Sequence, residues 1–589
     1  MKRWSPLVLV LLLVLDVWYR AHTFGPQVRD ALGVSLWPRT IGSSEPLDCD
    51  EAAYAYMGHR ISRGDVLYRD LTENKTPLGY WLYALGVVAG GYNELAIRVM
   101  PIPFVLLAII LIWWIGGKLG SQLSGCLAAC LYILLSTDPY LFGNGSNLEH
   151  FVNLFSVASL AFLIHAWDRP ARWPLLAAGI CLGAAALVKQ FAILPVVLFA
   201  PALFFKDGQG GLSRVHKLRR SLNDAMVFAL GLLLIAAIAT AVLAMQGAGA
   251  DAIDDIFFYG RALATDTLPE PKAPPAAIRW ITGNADPLGR LPWPFGTTDY
   301  LVWWGTASWP LWLASVPSLA YLLLGPGTSA LRRLTAGWAI AAWAQVALPG
   351  LYWQHYYLLP TSGAAIAVSI CFADAVWCAA GALAPGSGKN WGRIGLAVLS
   401  IPVLASAIGL TAYLEVRSYL LVEPEELTIR YKGGRQWVVL RNMGRDLGRR
   451  ARIWKEPHLY IWGWQSPLHF YGRVDSPTRH FFVDNLLRDQ ADRDHRLIRP
   501  RTDEIITTLK RKPPELIFTG YPPFRALRAF LNDRYLPSKM APGLWVRLEE
   551  YGVFERAGAI SGDNKANGSQ PSGTRSSGSE TDSGLAHSE

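Results

Sequence analysis

Charged residues and cysteines are both scarce in this chain of 589 residues. Asp, Glu, Lys and Arg make up 17% of it, against roughly 25% in an average soluble domain. Since 52% of the residues are hydrophobic, a single water-soluble core is excluded. All of the six cysteines except Cys49 fall in or beside apolar runs. They therefore form no disulfide framework, and we predict neither a disulfide nor a cysteine metal site.

Apolar blocks of about 20 residues, the length that crosses hydrocarbon, recur from residue 6 to residue 415. They predict an α-helical polytopic membrane protein with about eleven crossings. The first block follows Lys2 and Arg3 without a clear cleavage site, so we interpret it as an uncleaved anchor. The predicted spans are 5–20, 97–116, 121–138, 149–167, 173–189, 190–205, 223–245, 299–324, 335–350, 357–382 and 394–414.

Positive charges in the short loops predict the orientation, because Lys and Arg resist translocation. With a cytoplasmic N-terminus, every inner loop carries Lys or Arg, and the short outer loops at 139–148 and 351–356 carry none. The first outer loop is then 21–96 and the long outer loop is 246–298. The net charge of +10 follows from this topology, and we predict no nucleic-acid binding, since no basic-aromatic motif accompanies it.

Composition divides the chain into three parts. Residues 1–415 form the membrane domain. Over 416–556, short apolar runs such as "HLYIWGW" and "PELIFTG" alternate with helical patterns, which predicts a small extracytoplasmic α/β domain with a partly parallel sheet. The Ser/Gly-rich stretch 557–589 is predicted to be a disordered tail.

The first outer loop contains the stretch "DCDEAAYAYMGHRISRGDVLYRDLTENKTPLGYWL" between two apolar blocks. Asp50 stands where a helix N-cap belongs, and capping would explain one acid without chemistry. Pro77 falls in the first turn of the next apolar helix. Lys75, just before it, could merely bind an anionic headgroup. A cluster of charges beside a membrane is nevertheless a functional-site candidate.

Several motifs together resemble a known family. They are "DE" at Asp50-Glu51, "YRDLTENKTPLGYWLYAL", "LVKQFAILP", "WQHYYLLP" and "LYIWGWQSPLHFYGR". In this order and placement they are similar to the polytopic glycosyltransferases of the C fold. More narrowly, they resemble the family 39 or protein mannosyltransferase-like group, which is similar to the aminoarabinose transferase of lipid A. The similarity extends from residue 1 to about residue 550.

The resemblance implies transfer of a sugar from a polyprenyl-phosphate carrier on the outer face of a membrane. It implies that Asp50 acts as, or beside, the general base, with Glu51 as its paired neighbour, and that Glu149 is a second acid. The family's phosphate-binding lysine maps onto Lys75. The implied acceptor is a protein, lipid A or a cell-envelope polysaccharide, and the implied location is the inner membrane.

Two positions depart from the family pattern. The usual Lys-Pro-Pro is Lys75-Thr76-Pro77 here, and the glutamate that often precedes the lysine is Asn74. The metal contact proposed for that glutamate is therefore unsupported. We predict no metal site and no certain cofactor, and a divalent cation is left as an open alternative without support from the sequence.

The expected chemistry needs one base for the acceptor hydroxyl and cations for the departing phosphate. Asp50 can be the base, and Lys75 and Lys189 the cations. Lys189 lies at a membrane boundary, where an ammonium needs an anionic partner or water; an ordinary snorkelling lysine is the alternative. His355 and Tyr356 open an outer helix end, where aromatic residues commonly form an interface belt. With Tyr80, we count them as substrate contacts.

Other roles remain open. The proline-rich outer loop 246–298 contains Arg261, Arg279 and Arg290 and could be a lid or an acceptor-binding segment. A transporter or flippase of lipid-linked glycans would also need a polar pocket, although transporters tend to show broken helices near the midplane. A third alternative is a sensor whose C-terminal domain binds a ligand.

Overall fold

A computed structural model describes residues 4–40, 42–167, 171–205, 214–266, 306–325, 328–349, 351–382, 391–432 and 434–566. Within these residues, six helical stretches are long and apolar enough to cross a membrane. They are Ser5–Leu32, Glu94–Leu119, Leu148–Trp167, Val215–Met245, Gln354–Gly381 and Leu399–Leu420. Shorter apolar helices are Leu78–Gly90, Gln122–Thr137, Trp173–Val188, Gln190–Ala202 and Trp309–Leu324.

Each predicted span overlaps a helix, although the bounds differ. The predicted span 223–245 lies inside the longer helix Arg214–Met245, and the predicted span 335–350 overlaps Ala330–Ala347. The helix within 299–324 begins at Trp309, and residues 299–305 lie outside the described residues. The count of eleven crossings stays a prediction.

Glycines allow the membrane helices to approach closely. A Cβ at Gly179 would meet the carbonyl group of Phe228, and one at Gly231 would meet the carbonyl oxygen of Leu176. The helices Trp173–Val188 and Arg214–Met245 therefore pack backbone against backbone, as small residues permit in membranes.

The C-terminal region contains a four-stranded sheet. Its strands are β1 (Leu459–Trp462), β2 (Leu516–Thr519), β3 (Tyr535–Pro537) and β4 (Leu544–Arg547). Their order in the sheet is β1-β2-β4-β3. β1 and β2 are parallel, whereas β4 pairs antiparallel with both β2 and β3. The helices of this region are Pro424–Tyr431, Gln436–Arg450, Pro467–Gly472, Asn485–Gln490, Arg499–Arg511, Arg525–Arg534 and Tyr551–Ala566.

The predicted tail 557–589 and the predicted long outer loop 246–298 are described only in part. The Tyr551–Ala566 helix extends beyond residue 557, where the predicted tail begins, and the disorder of the tail stays a prediction. Residues 567–589 lie outside the described residues, as does the part of the predicted outer loop beyond Asp266, with Arg279 and Arg290.

The first outer loop lies against the C-terminal region. The backbone amide of Leu47 donates to the Tyr471 hydroxyl at 2.9 Å, and that of Ser476 donates to the Tyr56 hydroxyl at 2.8 Å. Within the Cys49–Ser62 helix, residues 51–58 are all buried. Both segments were predicted to lie on the same side of the membrane, and these contacts require it. The helix that bears Asp50 is thus enclosed between the two parts of the molecule.

Candidate active site

The N-terminus of the Cys49–Ser62 helix decides which of its acids is available. The N-cap is Asp48, not Asp50 as predicted: its carboxylate accepts from the Glu51 amide, and the Glu51 carboxylate accepts from the Asp48 amide. This reciprocal pair is a capping box. Asp50 lies inside the first turn, and its carboxylate makes no cap.

Glu51 faces away from Asp50 into a buried network. Its carboxylate pairs with Arg98 at 3.0 Å and accepts from the Ser146 amide at 2.6 Å. Arg98 also pairs with Glu45 at 3.4 Å. All three charged side chains are almost fully buried, so their role is to join the first outer loop to the membrane helices.

A cavity of about 590 Å³ lies between the membrane domain and the C-terminal region. Asp50, Lys75, His355 and Tyr356 all line it, so three separate segments meet at one wall. The side chain of Asp50 keeps 25% of its surface exposed, and that surface opens onto the cavity. The sequence placed these residues up to about three hundred positions apart, and the fold brings them together.

Asp50 is surrounded by groups that can exchange or accept a proton. Its carboxylate is 3.6 Å from Nε2 of His355, and the Tyr54 hydroxyl donates a hydrogen bond to it. Burial raises the pKa of Asp50 above its ordinary value, while Lys75 and Lys189 act in the opposite direction. A carboxylate whose pKa is raised toward the working pH is suited to general-base catalysis.

Lys75 brings a positive charge to the same wall. Its Nζ is 3.2 Å from Glu73 and lies 5.5 Å from the centre of the Tyr54 ring. Burial alone would lower its pKa, but Glu73 and Asp50 outweigh burial and raise it. Lys75 therefore stays charged, as a phosphate contact requires.

Lys189 has an anionic partner, one of the two arrangements expected for a lysine at a membrane boundary. It forms an ion pair with the fully buried Glu149, and its Nζ lies 4.2 Å from the centre of the Tyr356 ring. His355 Nε2 is 3.9 Å from the same Glu149 carboxylate. Glu149, Lys189 and His355 thus form one connected cluster beneath Asp50.

A smaller cavity of about 50 Å³ adjoins the large one. Lys75 and Tyr356 line both cavities, and Lys189 lines the small one only. The remaining wall of the small cavity is mostly apolar, with Val152, Phe191 and Leu359. A ligand with an anionic group and an apolar chain would match this boundary.

Comparisons with known proteins agree with this architecture. Residues 74–244 match the family model described as dolichyl-phosphate-mannose-protein mannosyltransferase. Crystal structures of ArnT from Cupriavidus metallidurans, one bound to undecaprenyl phosphate and one in the apo state, superpose with TM-scores of 0.53 and 0.50. The sequence identities are 16% and 15%, and each comparison covers 93% of this chain and 98% of the other.

The chain has the fold of the C-type glycosyltransferases. The predicted fold class and the predicted resemblance are therefore confirmed. A curated relative, the undecaprenyl phosphate-alpha-4-amino-4-deoxy-L-arabinose arabinosyl transferase of Erwinia tasmaniensis, is 26% identical over 170 residues. That match spans 27% of this chain and only 30% of the length of the relative.

Within this fold, three predicted site residues, Glu51, Tyr80 and Glu149, line neither cavity. Glu51 is held in the Arg98 network, so we withdraw it as a catalytic residue. Tyr80 is fully buried with its ring 5.7 Å from that of Tyr54, and it lines neither cavity. Tyr80 lies on the buried face of the Leu78–Gly90 helix, together with Tyr83 and Val87.

The sequence analysis missed Tyr54 and Glu73. Tyr54 is four residues after Asp50 and thus on the same helix face, and Glu73 is two residues before the selected Lys75, so local spacing could have indicated both. Among the residues that the structure describes, no group of three or more His, Cys, Asp or Glu side chains is arranged to hold a metal ion.

Proposed function

We propose that the protein is a membrane glycosyltransferase that moves a sugar from a polyprenyl-phosphate carrier to an acceptor hydroxyl. One observation carries this proposal. Asp50 and Lys75 line the same cavity, so a base and a phosphate-binding cation face one reaction space. A transporter has no need for this pairing.

In the proposed reaction, Asp50 accepts the proton of the acceptor hydroxyl as its oxygen attacks the anomeric carbon. A bond forms between that oxygen and the carbon, and the bond from the carbon to the carrier phosphate breaks. The phosphate leaves with the electron pair, and its added charge is stabilised by Lys75 and, next to it, Lys189. Attack opposite to the leaving group inverts the anomeric centre.

The other members of the cluster position these groups. His355 contacts the carboxylates of both Asp50 and Glu149, and Tyr356 supports Lys189 through its ring. We assign Glu149 to holding Lys189 in place, since its carboxylate is paired with that lysine and does not line the large cavity. Removal of the partner would leave a buried charge uncompensated.

The two cavities suggest separate entrances. The small apolar cavity suits the first part of the carrier chain, with the phosphate at Lys75 and Tyr356, where both cavities meet. The large cavity suits the acceptor. We further propose that this site faces outward across an inner membrane, with the C-terminal domain extracytoplasmic, and that the acceptor is a protein, lipid A or a polysaccharide.

The test uses the purified full-length protein in liposomes with a panel of polyprenyl-phosphate sugars. Release of free polyprenyl phosphate with transfer of labelled sugar supports the proposal. For Lys75→Ala we expect the carrier Kd to rise about tenfold or more, since a charge-assisted hydrogen bond contributes about 1.5–3 kcal/mol. Lys539→Ala, an exposed lysine of the C-terminal domain, is the matched control.

Two results would reject the assignment. One is movement of intact lipid-linked sugar between the leaflets without cleavage, which is the action of a flippase. The other is equal carrier affinity of Lys75→Ala and Lys539→Ala.

A further inference from the structure

The wall of the large cavity opposite the membrane helices is built from aromatic and amide side chains. Trp464 and Tyr521 line it from the C-terminal region, and Trp353 lines it from the membrane domain. The Trp464 ring lies edge-on to both others, with centroid distances of 5.9 Å each. These rings form a continuous aromatic surface across the two parts of the molecule.

The topology of the sheet produces this wall. β1 and β2 are parallel neighbours, so Trp464 and Gln465 after β1 meet Gly520 and Tyr521 after β2 at one edge. In open sheets with parallel strands, ligands bind at this edge. A Cβ at Gly463 or Gly520 would collide with the Gln465 amide, so the glycines leave the space in which that amide lies.

Three polar atoms on this wall lack a hydrogen-bond partner among the described residues. They are Nε1 of Trp464, Oε1 of Gln465 and Oδ1 of Asn485, and all three side chains line the cavity. A buried polar atom without a partner is costly. All three atoms are uncharged and enclosed in the wall, so a ligand in the cavity would reach this donor and these two acceptors by a rotation of the side chains that carry them.

The loop that carries Trp464 is fixed to the catalytic helix. The hydroxyl of Ser466 donates to the backbone carbonyl of Cys49, the residue before Asp50. Trp353, which contacts Trp464, is two residues before His355. A ligand on this aromatic wall would therefore lie in the same cavity as the proposed base.

The charges of the cavity disfavour an anionic acceptor. Each cation of the described lining already has a carboxylate partner: Lys75 with Glu73, Lys432 with Glu45 at 2.9 Å, and Arg501 with Asp254 at 3.0 Å. The carboxylates in the lining outnumber these cations; they are Asp48, Asp50, Glu73, Asp255 and Asp484. A phosphorylated acceptor would bring a second anion, in addition to the carrier phosphate at Lys75, into a lining in which carboxylates outnumber cations.

We propose that the aromatic wall is an acceptor subsite for an uncharged saccharide, with Trp464 and Tyr521 contacting the sugar ring and Trp464, Gln465 and Asn485 bonding its hydroxyls. The apolar C–H groups of a sugar match aromatic rings, and its hydroxyls both donate and accept. That the bound saccharide is an acceptor rests on the proposed function. The inference narrows the class of acceptor to a glycan.

Binding is tested without donor, so that the result does not depend on turnover. Full-length protein in nanodiscs is titrated with neutral tetrasaccharides of glucose, mannose, galactose or arabinose, and binding is followed by saturation-transfer NMR and tryptophan fluorescence. We expect Asn485→Ala and Trp464→Phe to raise the Kd of the bound saccharide by about two- to tenfold, the effect of one lost hydrogen bond. Trp464→Ala should raise it further.

Trp377→Phe, at an exposed tryptophan of a membrane helix, is the control, and thermal unfolding verifies that each variant is folded. The inference is overturned if none of the tetrasaccharides binds, if Asn485→Ala and Trp464→Ala bind them as wild type does, or if only a phosphorylated disaccharide or a serine peptide binds. Saccharide binding without any sugar transfer would reject the proposed function and leave the subsite intact. Sugar transfer to a peptide or lipid alone, without saccharide binding, would support the proposed function and reject the subsite.

Discussion

Asp50 and Glu51 are adjacent acids for which the structure predicts opposite consequences of substitution. Glu51 is fully buried and paired with Arg98. Glu51→Gln keeps the size of the side chain but leaves the Arg98 charge short of a partner. Removal of one partner of a buried pair costs about 3–5 kcal/mol. We therefore expect the Tm of Glu51→Gln to fall by several degrees, while the molecules that remain folded keep their transfer activity.

For Asp50→Asn we expect the opposite result. The pKa of Asp50 is raised chiefly by burial, so the folded state favours a neutral side chain at this position. An amide there should leave the Tm unchanged or slightly higher. Transfer should fall by about 10²- to 10⁴-fold, which is the usual contribution of a general base.

The assay compares the two variants after the same purification and under the same conditions. Differential scanning fluorimetry gives the Tm, and transfer of labelled sugar per folded molecule gives the activity. The reasoning is refuted if Asp50→Asn retains transfer within tenfold of wild type. It is equally refuted if Glu51→Gln loses its activity at an unchanged Tm, because that would place the essential carboxylate in the Arg98 network.

Three further predictions concern the surroundings of the site. Lys189→Met should destabilise the protein, because it leaves the buried Glu149 carboxylate without its partner. The added Glu149→Gln should restore the Tm but not carrier binding, and a double-mutant cycle of Tm and carrier Kd measures both effects. Equal Tm values for the single and double variants would contradict the pairing. Burial raises the pKa of Asp48 to about 7 from its ordinary 3.8. Between about pH 4 and 7 the folded state therefore keeps a proton that the unfolded state has released, and stability should fall as the pH rises through this range. Asp48→Asn should flatten this dependence of Tm on pH, and an unchanged slope would refute the prediction. Arg501→Met should speed hydrogen exchange in the described beginning of the long outer loop, because Arg501 pairs there with Asp254 and Asp255. Arg499→Met, at an exposed position, should not.

The Arg501 contacts also involve the described beginning of the long outer loop. Tyr259 lies under the Arg501 guanidinium at 4.1 Å and donates to Asp484 at 2.7 Å. The described beginning of the loop is therefore attached to the C-terminal region at the rim of the cavity. The prediction that the loop acts as a lid or an acceptor-binding segment stays a prediction.

Local chemistry was sufficient for the surroundings of Lys189. Its place at a membrane boundary predicted either an anionic partner or contact with water, because a charge near hydrocarbon has few stable arrangements, and Lys189 is paired with Glu149. The choice of Lys75 depended instead on the resemblance to a family with a phosphate-binding lysine. Lys75 lines the cavity together with Asp50, and its role stays a prediction.

The choice between neighbouring residues was not predictable in the same way. Successive residues of a helix point about 100° apart, so a cap at Asp48 instead of Asp50 turns a different carboxylate toward the cavity. The partners that hold Glu51, Arg98 and Ser146, come from distant segments. No local pattern in the loop contains them.

Hydrophobic length in the chain was enough to indicate which segments form the apolar helices, because the cost of burying each residue in hydrocarbon depends chiefly on that residue. The cavity, the pairing of its charges and the aromatic wall arise only when the C-terminal sheet packs on the first outer loop. They depend on contacts between residues hundreds of positions apart, and such contacts follow from three-dimensional packing and not from the order of residues along the chain.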